Sequence, residues 1–204
     1  MLVDPKQVKP SEIYTMMVQT IAPRPIAWVS TVSSDGVSNL APYSYFNGIG
    51  SKPAALMFSA VNKPDGSPKD TVRNILENGQ FVVNVVPFGL ASPMVLSSAD
   101  YDFGESEFAQ TGMTEMPSQR VQAPSVKESP VHLECELLQT VSVGQGPFAA
   151  TVVIGEIVMM AIDDGVLDET GAIDPARLDA IGRLGGENYC RTNELFKLAR
   201  APSR

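Results

Sequence analysis

The chain has 204 residues, enough for a sizeable core in one domain, and its 44% hydrophobic and 19% charged content is that of an ordinary globular fold. A net charge of −8 argues against nucleic acid as the main partner, and no apolar run reaches the roughly 18 residues of a membrane span. The two cysteines, Cys135 and Cys190, make neither a disulfide framework nor a zinc site. The start, Met1 to Lys6, carries no apolar signal-peptide core, so a reducing cytoplasm is the expected compartment.

Ser11 to about Gln19 reads as a short helix with Ser11 as N-cap and Ile13, Met16 and Met17 on its apolar side. A β-hairpin follows over about Pro25 to Phe46, its turn at Asp35-Gly36, where glycine accepts the positive φ of a tight turn. Ser30, Thr31, Asn39 and Ser44 place more hydrogen-bonding groups on this ribbon than a bare core needs, so a polar partner is expected against it. Ala54–Ala60 is a third strand. Ser67-Pro68-Lys69-Asp70 opens a helix, with Ser67 as cap, Pro68 at the first position, and Val72, Ile75 and Leu76 as its buried stripe; Gly79 ends it.

Phe81–Val86 is an apolar strand broken only by Asn84, and Leu90 to about Ser98 reads as helical. A short helix near Glu105–Gln110 precedes a Gly, Pro and Ser-rich loop. Val131–Val143 and Ala149–Ile162 are long strands, with Gly155 marking a bend or bulge in the second. Asp174-Pro175 starts a helix through about Ile181, and 182–189 is a glycine-rich loop leading to a tail. About six strands with irregularly interleaved helices favour an α+β, mainly β barrel over a doubly wound parallel sheet.

The helix opening at Lys69-Asp70-Thr71 presents unpaired amides and positive dipole, where a phosphate can sit; Lys69 would add charge and Thr71 a hydroxyl, against the plain alternative of a capped surface helix. Gly48-Ile49-Gly50 and Gly144-Gln145-Gly146 lack the third glycine of a dinucleotide fingerprint. No Walker-type loop, Ser-His-Asp set or metal cluster can be assembled. The lone His132 sits in a strand, where a packing role competes with that of a base. Trp28 and the pair Met159 and Met160 read as packing residues, and Asn84 as a group that satisfies backbone inside the barrel or touches ligand.

The blocks Pro-Arg-Pro-Ile-Ala-Trp-Val-Ser-Thr (23–31), Asn-Leu-Ala-Pro-Tyr-Ser-Tyr-Phe (39–46), Lys-Asp-Thr-x-x-Asn-Ile (69–75), Phe-Val-Val-Asn (81–84), Gly-Glu-Ile-Val (155–158) and Arg-Leu-Gly-Gly-x-x-Tyr (183–189), in this order, resemble the flavin reductase-like, FMN-binding split-barrel family. That family includes flavoredoxins and reductase components of two-component monooxygenases. The resemblance covers about residues 12–190 of a single domain spanning 1–204, with the rest as tail. It implies a six-stranded antiparallel split β-barrel with peripheral helices, and a homodimer holding FMN at the subunit interface. Carried over by position, Ser30, Thr31 and the backbone of Asn39, Leu40 and Ala41 would face the flavin ring. Ser44 and Ser59 would stand around its ribityl or phosphate end, and Lys69 and Thr71 would hold the phosphate. Arg183 and Tyr189 would close over the site, and Arg24 would approach the flavin or remain a solvated loop cation.

One departure stands out: similar sequences often carry histidine where this chain has Ala161, which puts the usual electron donor in doubt. The function implied is an FMN-dependent oxidoreductase moving electrons from NAD(P)H through FMN to a second acceptor, such as a monooxygenase partner. The alternative is a flavoredoxin-like carrier reduced by a redox protein without NAD(P)H turnover. No side chain is expected to act as a proton-transfer catalyst, since such chemistry belongs largely to the cofactor.

Overall fold

The computed structural model describes residues 1–102 and 104–201. Helix α1 (Pro10–Thr20) leads into β1 (Arg24–Pro25), β2 (Ala27–Val32), β3 (Ser38–Tyr43), β4 (Phe46–Ser51) and β5 (Ala54–Val61). Helix α2 (Asp70–Asn78) precedes β6 (Gln80–Asn84), a 3-10 turn at Phe88–Leu90, α3 (Ala91–Leu96) and α4 (Glu107–Thr111). The short pair β7 (Glu115–Met116) and β8 (Ser125–Val126) is followed by the long strands β9 (Val131–Val143) and β10 (Ala150–Ile162). The described chain closes with α5 (Pro175–Leu178), β11 (Ile181–Arg183) and β12 (Tyr189–Arg191).

The main sheet is antiparallel with seven strands in the order β3-β2-β6-β9-β10-β5-β4. The additional strand beyond the six expected is β4, whose Phe-Asn-Gly-Ile-Gly-Ser sequence shows no apolar alternation and is exposed after Phe46; its pairing with β5 makes it a strand. The two edge strands are joined by Ser44 and Tyr45, so the sheet curls, and the Tyr43 ring lies 4.9 Å from that of Phe58. No ladder pairs β3 with β4 among the described residues, so the hydrogen bonding does not close into a full barrel.

Side-chain alternation puts β2 between two cores. Ala27 and Val29 join Phe58, Phe81, Val83, Cys135 and Val153, with Val72 and Ile75 of α2 packed among them. Ile26 and Trp28 face Leu40, Val86, Met94, Phe108 and Ile181. Trp28 is fully buried and its Nε1 donates to Ser97 Oγ at 2.8 Å, a core role. Cys135 is buried, and burial pushes its thiol well above the ordinary range. At Gly155 the β9–β10 register shifts, and an added Cβ would meet Phe81 Cζ at 2.4 Å. The bulge therefore sits where Phe81 fills the space a side chain would need.

Several expected boundaries move. Helix α1 starts at Pro10, because proline suits the first helical position and the Lys9 amide donates to Glu12 Oε2 at 3.1 Å, so Ser11 is not the cap. Helix α2 starts at Asp70 with Lys69 as cap, because Ser67 turns its hydroxyl to Asp65 Oδ1 at 2.6 Å. Its inner face carries Thr71 and Asn74 beside Val72 and Ile75, while Leu76 is exposed. Gly79 takes the left-handed conformation at φ 73°, as expected of a helix stop. The expected helix through Ile181 ends at Leu178, and the glycine-rich stretch becomes the β11–β12 hairpin paired to β1.

Candidate functional site

Helix α2 is tied to the ribbon by two hydrogen bonds between polar side chains. Asn39 Nδ2 donates to Thr71 Oγ1 at 2.9 Å, and Asn74 Nδ2 donates to Thr31 Oγ1 at 3.0 Å. The first bond holds the α2 N-terminus against β3, and the second ties the next turn to β2. The first amides of α2 have no partner one turn back, because a helix starts with orphan donors. A cleft of about 390 Å³ opens there, lined by Asn39, Ala41, Pro42, Tyr43, Lys63, Pro64, Asp65, Lys69, Asp70, Thr71, Ser97–Tyr101 and Glu107.

Lys69 Nζ stands 3.1 Å from Asp100 Oδ1, whose side chain is 90% exposed, and Lys63 Nζ stands 3.0 Å from Asp70 Oδ1. An exposed pair is worth about 0–1 kcal/mol, so Lys69 can exchange Asp100 for a better-placed anion at little cost. Burial pushes the Tyr43 hydroxyl well above its ordinary range, the hydrogen bond to Thr71 lowering it only in part, so Tyr43 stays neutral. Burial also raises the Glu107 carboxyl, against the amide of Leu40, which donates to Glu107 Oε2 at 2.8 Å.

A second cavity of about 200 Å³ adjoins the first through Pro42 and Ser98. Arg24, Ser44, Arg183 and Tyr189 line it, together with Tyr14, Met94 and the edge of the 184–186 loop. The two cavities make one groove along β3, from the α2 N-terminus to the β11–β12 hairpin.

The groove gathers Asn39, Ala41, Lys69 and Thr71 at one end and Arg24, Ser44, Arg183 and Tyr189 at the other. Other expected contacts lie elsewhere in this chain. Ser30 is fully buried and donates to the Pro124 carbonyl, and Thr31 is fully buried beneath Asn74. Leu40 points its side chain into the core, and its amide is taken by Glu107. Ser59 pairs with Val152 on the far strand and donates its amide to Tyr45 O at 2.9 Å.

Arg24 is not a solvated loop cation. It is 5% exposed, with Nη1 donating to Val18 O at 2.6 Å and Ile21 O at 2.7 Å, and Nη2 to Leu184 O at 2.9 Å. Asn84 is spent inside the fold on Trp28 O, Ser30 Oγ and the Val126 amide. His132 is buried with Nε2 2.8 Å from Val126 O, and Ala161 is its partner across β9–β10.

Sequence reasoning missed Glu107, Tyr43 and Asn74. Asn74 carried a usable signal, since a polar residue three positions after Thr71 shares its helix face. Glu107 carried none, because its partner Leu40 lies 67 residues away.

Residues 19–180 match the flavin reductase like domain model, and the chain belongs to that family. Nitrilotriacetate monooxygenase component B from Bacillus cereus has a similar structure, with TM-score 0.92 and 32% identity over 97% of this chain and 98% of that one. The 2-nitrobenzoate 2-nitroreductase NbaA of Pseudomonas fluorescens matches at TM-score 0.88 and 32% identity, covering 100% and 99%. A structure with a split barrel domain from Shewanella frigidimarina NCIMB 400 matches at TM-score 0.84 and 25% identity, covering 98% and 100%. The fold is thus of split-barrel type and the protein a flavin-family oxidoreductase. No helix among the described residues is long and apolar enough to cross a membrane.

Proposed function

We propose that the protein binds FMN in this groove and moves electrons from a reduced nicotinamide through the flavin to a second acceptor. The observation that carries the reading is the junction of α2 with β3. There a helix N-terminus, the Lys69 ammonium and the Thr71 hydroxyl converge on a cleft of about 390 Å³, within the range of cofactor pockets. This donor set suits a phosphate monoester. Asn39, Ala41 and Tyr43 would flank the rest of the cofactor, and Ser44 would stand further along the groove.

FMN held by Lys69 and Thr71 would supply the redox chemistry, as a hydride acceptor and onward electron donor. The chain's own part is to hold the phosphate, orient the cofactor and limit access. No side chain needs to relay a proton: His132 is engaged inside the fold and the Tyr43 hydroxyl is held neutral. In the proposed active form the protein is a homodimer, a reading supported by the exposed apolar side chains Phe88, Val95, Leu96, Leu195, Phe196 and Leu198. The similarity to a monooxygenase component and to a nitroreductase supports an external electron acceptor. Steady-state oxidation of NADH and of NADPH with FMN present tests the reductase reading. Turnover with either is expected; tight FMN binding without turnover favours the electron carrier fed by a redox protein.

A further inference from the structure

Arg24 and Arg183 line a cavity without a carboxylate partner among the ion pairs of the described residues. Lys63, Lys69, Arg73, Arg177 and Arg191 each face a carboxylate. The ion pairs of the described residues include neither Arg24 nor Arg183, in a chain with 23 acidic residues. Arg24 is nine-tenths buried, yet its guanidinium meets only carbonyls, the Ser44 hydroxyl at 3.4 Å and the face of Tyr45 at 5.9 Å. Arg183 donates to the Tyr189 hydroxyl and to Gly186 O at 2.6 Å, and lies over the Tyr189 ring at 4.4 Å. Buried charges are as a rule paired, so an unneutralised cation beside a cavity marks where a counter-charge is wanted.

Both arginines line the second cavity, which has no aspartate or glutamate in its wall. Ser44 and Ser98 add hydroxyls to the wall, and Tyr14, Ile26 and Met94 give it an apolar and aromatic part. At about 200 Å³ it lies below the range of whole-ligand pockets and suits one end group of a larger molecule or a small ring acid. It shares Pro42 and Ser98 as wall residues with the cleft assigned to the flavin.

We propose that this cavity is an anion subsite that holds the carboxylate or phosphate of the molecule exchanging electrons with the flavin, an inference that rests on the flavin reading above. The groove then has two anion-holding ends: Lys69 and Thr71 for the cofactor, Arg183 with Arg24 for its redox partner. Arg183 suits the second task through the N–H groups not spent on Tyr189 and Gly186, while Arg24, its donors largely taken by carbonyls, adds fixed charge.

Calorimetric titration of the full chain saturated with FMN, using sodium benzoate and separately inorganic phosphate at constant ionic strength, tests this. Saturable binding of at least one probe, one per chain, is expected. Benzoate alone would mark a small aromatic acid, and phosphate alone a phosphorylated donor. Arg183→Gln should weaken that binding at least tenfold. Ser44→Asp, which gives Arg24 a built-in counter-ion, should do the same independently. Saturation by neither probe, parent-like binding in both variants, or mole-for-mole displacement of the anion by FMN would overturn the proposal. An FMN titration run before the anions are added separates the two readings. A chain that takes up no flavin defeats both, whereas one that takes up flavin and ignores both anions defeats only the subsite.

Discussion

Asn39 and Thr71 meet at 2.9 Å between β3 and the first turn of α2, and this bond fixes where the helix N-terminus points. Both residues are buried, at 9% and 1% exposure, so neither can exchange its partner freely for water. Thr71→Val keeps the shape and removes the acceptor, stranding the Asn39 amide. A cost of about 1–3 kcal/mol is expected in urea unfolding, with weaker FMN binding beside it. An unchanged unfolding midpoint would show that the bond does not hold the helix.

Lys69 is expected to separate binding from stability. Its partner Asp100 is exposed, so Lys69→Ala should change stability by less than about 1 kcal/mol. FMN binding should weaken by about 1–3 kcal/mol, the cost of a charge-assisted bond to phosphate. Asp100→Asn should act oppositely, tightening FMN binding slightly by releasing Lys69. Flavin titrations of both variants check the pair of signs.

Glu107 should impose a pH dependence on folding. Its carboxyl is raised by burial, so the folded state holds the proton at pH values where the unfolded chain has released it. Stability from this group is therefore complete below the ordinary glutamate range and falls as pH rises through the raised value. Glu107→Gln keeps an acceptor for the Leu40 amide and removes the titration. Denaturation curves across mildly acidic to neutral pH should show the variant gaining on the parent as pH rises; parallel curves would contradict this.

Gly155→Ala should destabilise through overpacking. The new methyl would fall 2.4 Å from Phe81 Cζ and 3.3 Å from Cys135 Cβ, inside a core with no room to give. The expected loss is about 1–3 kcal/mol in denaturant unfolding. A variant as stable as the parent would mean that Phe81 can turn aside.

Much of this was legible in local chemistry. The Asp35-Gly36 turn, the Gly79 stop and the long strands β9 and β10 follow from residues that act on their own neighbourhood. The strand β4 was not legible, because Gly48 and Gly50 carry no β pattern and only the pairing with β5 gives them one. That Lys69, Thr71 and Asn39 line one cleft was readable in part, because helix openings and polar ribbon residues announce hydrogen-bonding tasks. Burial of Ser30 and Thr31 was not, since the same hydroxyls serve equally to knit α2 and the 124 loop onto the sheet. The role of Arg24 depended on three carbonyls from α1, its following turn and the 184 loop, which no local window contains.

The central claim is that the α2 opening grips the phosphate of FMN, and comparison of FMN with riboflavin tests it most directly, since the two differ by that group alone. Fluorescence titration of the parent should give FMN an affinity at least about tenfold tighter than riboflavin, as expected for charge-assisted bonds, with the gap narrowing in Lys69→Ala. Equal affinities for the two flavins, or a gap untouched by Lys69→Ala, would contradict the account.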